Sequence, residues 1–271
     1  MQPASASVTV NIPTLRDKIL IITGSTGIGA AAARLAMARG ARLVIATGDE
    51  ISGWELAAET GAECWVGDLT RPASAESVVS QCLSKFGRVD AVFNVAGLSG
   101  RRFGDGPAHE VTAEGWKGAL THNLTVTFQF CQAAITRMLD QDAGEDGTRG
   151  AIVNLGSVLA DAPESRHFAT HAYAAAKGAI AAMSRSMAAY YAPHKIRVNV
   201  VAPAMVRTPT SERAQADPEL QEFIRKKQPL TGGMVDAEDV ARAALFLLSE
   251  EARCITGEVI AVDAGWRVTG V

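Results

Sequence analysis

The sequence predicts an α/β fold, a Rossmann-type doubly wound parallel sheet of about seven strands with helices on both faces, in a single domain. Three observations carry this reading. Short apolar, β-branched runs alternate with longer helical patterns along nearly the whole chain. Those runs are apolar without alternation, as strands buried on both faces are. The first of them leads straight through a glycine-rich turn into an Ala-rich helix.

The strands are expected at Ile19–Ile22, Leu43–Ala46, Cys64–Val66, Val89–Phe93, Ala151–Leu155, Ile196–Val201 and Val259–Val262. Helices are expected over Ile28–Arg39, Ala73–Phe86, Thr112–Leu139, Thr170–Ala192 and Asp236–Ser249. Leu98–His109 is rich in Gly and Arg and resists assignment, and the acidic Gln141–Gly150 reads as an exposed loop. No repeat, low-complexity tract or linker divides the chain. Residues 17–271 are therefore read as one domain behind a loose tail, residues 1–16.

With 271 residues, 48% of them hydrophobic and 20% charged, the chain can bury a full-sized core. Its formal charge of −3 gives no electrostatic reason to expect nucleic acid or an anionic membrane as partner. No run is long enough to cross a bilayer, and Met1–Asp17 lacks a basic start followed by an apolar stretch, so cytoplasm is the expected location. Cys64, Cys82, Cys131 and Cys254 are scattered, without a CxxC pair or a His cluster. No metal site is expected, and the thiols read as reduced and mostly buried.

The turn after the first strand is Thr23-Gly-Ser-Thr-Gly-Ile-Gly29. Glycines at such a place let the backbone approach a pyrophosphate, whose charge the helix N-terminus stabilises. The bland alternative is an ordinary tight turn between a strand and a helix. The second strand ends in Ala46-Thr-Gly-Asp49. An acidic residue here can accept hydrogen bonds from ribose hydroxyls, and no basic residue is near to welcome a 2′-phosphate, which favours NAD over NADP. Asp49 can equally cap the helix that follows.

Tyr173-Ala-Ala-Ala-Lys177 puts a phenol and an amine on one helix face. A phenol, with a reference pKa of about 10, is a poor base at neutral pH. A neighbouring ammonium is expected to lower that value towards the working range. Ser157, just after the fifth strand, can donate to a substrate oxygen beside the Tyr, and Asn123 can orient a water or side chain in the same cleft. Each alone is an ordinary helix-face or capping residue. Their order on this frame, near the carboxyl ends of strands, is what points to a site.

These residues resemble the short-chain dehydrogenase/reductase family, in its compact single-domain branch, over roughly Asp17 to Gly265. Gly24–Gly29 resembles the family's cofactor loop, and Asp68 in Gly67-Asp-Leu-Thr70 the residue that meets the adenine. Asn94-Val-Ala-Gly97 is similar to the segment that supports the sheet beside the cofactor. Pro203–Thr208 is similar to the stretch closing over the nicotinamide, and Ile255-Thr-Gly257 with Val262-Asp-Ala-Gly265 to the closing strand. The resemblance implies cofactor contacts from Gly24, Ser25, Thr26, Gly27, Ile28, Gly29, Thr47, Asp49, Asp68, Leu69, Asn94, Ala96, Gly97, Tyr173, Lys177, Pro203, Val206 and Thr208. It implies a catalytic set in which Tyr173 exchanges the proton, Lys177 holds the ribose, Ser157 polarises the carbonyl and Asn123 keeps a water. A homo-oligomer, often a tetramer, is implied through the helices bearing Asn123 and Tyr173 and the last strand.

The expected activity is oxidoreduction of a small secondary alcohol or its ketone with NAD, NADP less so. This chain departs from the family pattern at several points. Two residues rather than three separate Gly24 from Gly27, a spacing like that of the longer epimerase and dehydratase branch. Thr47 stands where NAD-using relatives carry Asp, Gly48 where many NADP-using ones carry Arg, and Ala204 and Ala264 replace usual glycines. The segment between Ser157 and Tyr173 is also longer than usual. A nucleotide-binding regulator without turnover and, less so, a nucleotide-sugar epimerase or dehydratase are the alternatives. Arg101 and Arg102 can reach an anionic substrate group or be plain surface residues, and His167 and His171 are candidate pocket residues. Thr208–Lys227 has the polar helical pattern of a lid.

Overall fold

The computed structural model describes residues 15–270. In chain order the elements are β1 (Ile19–Thr23), α1 (Gly27–Ala38), β2 (Arg42–Thr47), α2 (Glu50–Thr60), β3 (Glu63–Val66), α3 (Pro72–Phe86) and β4 (Ala91–Asn94). There follow α4 (Ala113–Ala119), α5 (Val126–Asp140), β5 (Gly150–Leu155), α6 (His171–Tyr191), β6 (Ile196–Pro203) and β7 (Val206–Arg207). The chain ends with α7 (Glu212–Ala216), α8 (Pro218–Lys227), β8 (Val235–Asp236), α9 (Ala237–Leu248) and β9 (Val259–Val262). Seven strands form one sheet in the order β3-β2-β1-β4-β5-β6-β9, with every pair parallel. A short parallel pair, β7 with β8, stands apart.

Successive residues of a strand face opposite sides, and the core divides accordingly. Leu20, Ile22, Leu43, Ile45, Phe93 and Val153 pack with α1 and α9 on one side. Ile21, Val44, Val92, Ile152 and Val198 pack with α3 and α5 on the other. Both faces being covered explains why the strands read as unbroken apolar runs.

Of the expected tail, residues 1–14 lie outside the described residues. Leu15 is fully buried, and its N–H donates to the Arg39 carbonyl. The chain expected as one helix from Thr112 to Leu139 is divided: Leu120–Thr125 forms a wider π turn between α4 and α5. Asn123 lies in that turn, its Nδ2 donating to Ala119 O at 2.9 Å and Leu98 O at 3.0 Å. Such local insertions cluster at functional sites. Cys64, Cys82 and Cys131 are buried and Cys254 is exposed, all as free thiols.

Ala264 sits at φ 48°, in the left-handed region that glycine enters without cost. An alanine held there is strained by about 1 kcal/mol. Ala264→Gly is accordingly expected to stabilise the fold by a few tenths to about 1 kcal/mol, the larger backbone freedom of unfolded glycine offsetting part of the relief. Urea titration checks it, and a clear loss of stability would mean the methyl group's packing outweighs the strain.

Candidate active site

The carboxyl ends of β1, β4, β5 and β6 open onto a cleft of about 290 Å³. Its walls include Gly24, Thr26, Gly27 and Ile28 from the first turn, Gly97 after β4, and Asn123. Ser157, Tyr173, Lys177, Pro203, Val206 and Thr208 complete the set of expected residues there. Residues spread over nearly 190 positions of sequence are thereby gathered where open parallel sheets hold ligands.

The first turn is shaped by its glycines. Gly24 has φ 96°, and a Cβ on Gly29 would stand 2.3 Å from the Gly24 carbonyl oxygen, so no side chain fits there. The backbone N–H groups of Thr26, Gly27 and Ile28, at the start of α1, find no acceptor among the described residues. This is the donor arrangement that an anionic group at a helix N-terminus uses. Ser25, by contrast, turns inward: its hydroxyl is 2.7 Å from both Thr47 Oγ1 and Ser52 Oγ.

At the far end of β2, Thr47 is buried, and its hydroxyl also accepts the Asp49 N–H at 3.1 Å. Asp49 Oδ1 accepts the Ser52 N–H and caps α2, the alternative its position allowed. Asp68 Oδ1 accepts from both the N–H and the hydroxyl of Thr70, bonds that hold its carboxyl below the usual range. Leu69 and Ala96 pack against the core, and the Ala96 N–H donates to Thr23 Oγ1. Asn94 is buried, and its Nδ2 donates to Asn154 Oδ1 at 2.8 Å while its own Oδ1 has no partner. These residues lie outside the cavity, along the strand ends that flank it.

Tyr173 and Lys177 project from one face of α6. That helix begins on a borrowed cap. The Thr170 side chain makes no capping bond, and instead Asp105, from the loop before α4, accepts the Ala172 N–H at 3.0 Å and the Tyr173 N–H at 2.9 Å. The carboxylate satisfies two orphan donors and complements the helix dipole. A Cβ on Gly100 would meet Asp105 Oδ2 at 2.4 Å, so the loop folds tightly over this cap.

Lys177 is buried and donates from Nζ to Leu155 O at 2.7 Å, with Nζ 5.6 Å from the Tyr173 ring centre. A Cβ on Gly97 would lie 2.6 Å from Asn123 Oδ1 and 3.6 Å from Lys177 Nζ, so the amide oxygen and the amine converge on that glycine. Asn123 Oδ1 is buried without a partner. Ser157 stands beside the Tyr173 hydroxyl and accepts the Leu159 N–H at 3.2 Å.

The expectation that the ammonium lowers the phenol's pKa needs correction. Burial pushes the Tyr173 hydroxyl up to about 12, and the Ser157 hydrogen bond opposes this only in part. Burial also pushes Lys177 down to about 7, because no carboxylate accompanies it. The charge of Lys177 is not among the effects that set the phenol's value.

The family model described as enoyl-(acyl carrier protein) reductase matches residues 22–267, nearly the whole described chain. The chain belongs to the short-chain dehydrogenase/reductase family. Among family members it is 38% identical to the inactive 2-(S)-hydroxypropyl-CoM dehydrogenase 2 of Xanthobacter autotrophicus, over 86% of this chain and 98% of that one. It is 32% identical to the 2,5-dichloro-2,5-cyclohexadiene-1,4-diol dehydrogenase of Sphingobium indicum, over 93% and 98% of the two chains. A crystal structure of the 3-ketoacyl-(acyl-carrier-protein) reductase from Brucella melitensis, complexed with NADH, matches at a TM-score of 0.84 and 27% identity. It covers 94% of this chain and all of that one.

The outer half of this short-chain dehydrogenase/reductase cleft was largely unmarked in the sequence. Leu98, Leu159, Phe168, Met205 and Trp266 form apolar walls, and Arg101 and Arg213 stand in the lining. Trp266 is buried, its indole N–H donating to Ala162 O at 3.2 Å and its rings edge-on to Phe168 and Phe223. Arg101 and Arg102, read together in the sequence, part company. Arg102 lies over the Phe103 ring at 5.4 Å, and only Arg101 reaches the cleft. His167 meets Phe223 outside the lining, and neither it nor His171 joins the cavity wall. The expected lid resolves into α7 and α8 and bears on the glycine turn: a Cβ on Gly27 would meet Thr208 Cγ2 at 2.8 Å. Among the described residues no group of His, Cys, Asp and Glu could hold a metal, and no helix is long and apolar enough to cross a membrane.

Proposed function

We propose that this protein is a nicotinamide-dependent oxidoreductase that interconverts a small secondary alcohol and its ketone, with Tyr173 exchanging the proton. The observation carrying this reading is the convergence of Tyr173, Ser157, Lys177 and Asn123 on one cleft whose inner wall is the glycine turn. A dinucleotide fits that wall: the free N–H groups of Thr26, Gly27 and Ile28 suit its pyrophosphate, and the Gly29–Gly24 contact leaves no side chain in the way. When bound, it supplies or takes the hydride.

The chain's own residues do the rest. Ser157 donates to the substrate oxygen beside Tyr173, which gives or takes the proton at its hydroxyl. Lys177, fixed by the Leu155 carbonyl, would hold the ribose of the dinucleotide. The unpartnered Asn123 Oδ1 offers an acceptor for a water linking Lys177 to solvent. The apolar outer walls exclude bulk water from the reacting oxygen.

NAD is the proposed cofactor. Thr47 is buried and Asp49 is acidic, with no basic side chain at positions 47–49 to meet a 2′-phosphate. NADH is therefore expected to bind at least about tenfold more tightly than NADPH by nicotinamide fluorescence titration. Gly48→Arg should reverse much of that preference, since a Cβ there meets only Gly67 O at an ordinary 3.6 Å. Tighter NADPH binding by the native chain would contradict the assignment.

A second reading, a nucleotide-binding protein without turnover, draws support from the printed name of the relative at 38% identity, which calls that protein inactive. A screen of secondary alcohols with NAD and NADP separates the two readings. Nucleotide binding with no turnover of any alcohol or ketone favours the second. We also propose self-association through the faces of α4, α5 and α6, where Trp116, Phe128 and Tyr190 are exposed, in a cytoplasmic protein.

A further inference from the structure

The lining of the cleft carries two exposed guanidinium groups, from Arg101 and Arg213, and no carboxylate. Arg213, on α7, lines the cavity and makes no hydrogen bond or ion pair among the described residues. Arg101 lines the same cavity, and its one side-chain bond is from Nη2 to the His167 carbonyl at 2.7 Å. The two guanidinium groups are close enough to repel one another, and that repulsion adds to burial in holding Arg101 below its ordinary range.

Four acidic groups of the surrounding segments are otherwise engaged. Asp105, whose charge opposes the repulsion at Arg101, spends both oxygens on the first N–H groups of α6. Glu164 accepts the N–H groups of Arg166 and His167, and Glu219 pairs with Arg166. Asp161 pairs with Arg267. Two like charges facing one cavity with no resident counter-ion form a place that an anion would neutralise. The same lining includes Leu98, Leu159, Phe168, Met205 and Trp266, which suit the apolar body of a substrate.

We propose that the substrate is a secondary alcohol or ketone carrying an oxyanion, such as a carboxylate, at the end remote from the reacting carbon. Arg101 and Arg213 clamp that anion. This inference rests on the oxidoreductase reading and assigns the substrate class of the same site.

The test uses the full chain and straight-chain hydroxy acids from lactate upward, with the hydroxyl next to the terminal methyl, each compared with its methyl ester. At the best chain length the acid is expected to exceed its ester in kcat/KM by at least about tenfold, through a lower KM. The advantage should shrink as salt is raised. Arg213→Gln and Arg101→Gln should each cut the acid-to-ester ratio by about tenfold, whereas Arg102→Gln, on the Phe103 ring, should leave it unchanged. An ester turned over as well as its acid at every length, or a ratio unmoved by both cleft variants, would overturn the clamp.

If no alcohol is turned over, the oxidoreductase reading fails, and binding alone decides the clamp. The same acids and esters are then titrated by thermal shift in the presence of NADH. Stabilisation by an acid but not its ester, lost in Arg213→Gln, supports the clamp, and equal or absent shifts with both series reject it.

Discussion

Replacing Tyr173 by Phe is expected to lower turnover about a thousandfold, within the range that a positioned proton donor contributes. The fold should survive. The change removes one hydroxyl and its bond to Ser157, while the cap from Asp105 to the Tyr173 N–H is a backbone contact and remains. Dinucleotide affinity should stay within about threefold, because the glycine turn is untouched. The two directions of reaction should also respond differently to pH. Carbonyl reduction needs the phenol protonated, and burial holds it so up to about 12, so the phenol itself should impose no pH dependence across the neutral range. Alcohol oxidation needs the phenolate, and should climb as pH rises towards that value. Steady-state rates in both directions, with melting curves and NADH titration of the variant, check this. A variant keeping a tenth of native turnover would remove Tyr173 from the chemistry.

Much of this cleft was legible in the chain because its signals are local. The glycine turn, the Tyr-Ala-Ala-Ala-Lys spacing and Ser157 after a strand each identify themselves within a few residues, and an all-parallel sheet then fixes which strand ends meet. What stayed hidden depends on distance or on backbone register. Asp105 caps a helix 67 residues away, and nothing around Gly104-Asp-Gly106 announces that partner. The π turn at Asn123 is extra winding inside a continuous helical pattern, and Leu120–Thr125 itself holds no Pro or Gly to mark it. The helix α2 carries Gly53 in its middle and a weak apolar stripe, so only its cap at Asp49 was anticipated. Arg213 looked like one more charge on a polar helix until α7 was seen to turn it to the cleft wall. The pKa of Tyr173 stayed hidden for a related reason: four-residue spacing predicts proximity to Lys177 but says nothing of how far each group is taken out of water.

That burial leads to the second large effect, which concerns stability. Lys177 sits at 2% exposure, with a carbonyl but no carboxylate for company, and is pushed down to about 7 from its ordinary 10.5. Between those two values the unfolded chain binds a proton that the folded chain refuses. Stability from this group therefore falls as pH drops from 10.5, and the loss is complete once pH passes below the folded value near 7. Lys177→Met removes the titration. The variant should be more stable than the native chain at pH 7 by roughly 2–4 kcal/mol, less the partner lost by the Leu155 carbonyl, about 1 kcal/mol. The gap should close as pH is raised towards 10, below the range where Tyr173 begins to contribute its own dependence. Urea titrations of both proteins at successive pH values measure it, and a variant no more stable at pH 7 would mean that Lys177 keeps its charge when buried. Turnover should fall in the same variant, because the amine that costs the fold stability stands beside Tyr173, the proposed proton-exchanging group. A buried amine without a carboxylate weakens the fold, and beside Tyr173 it stands where the proposed chemistry uses it.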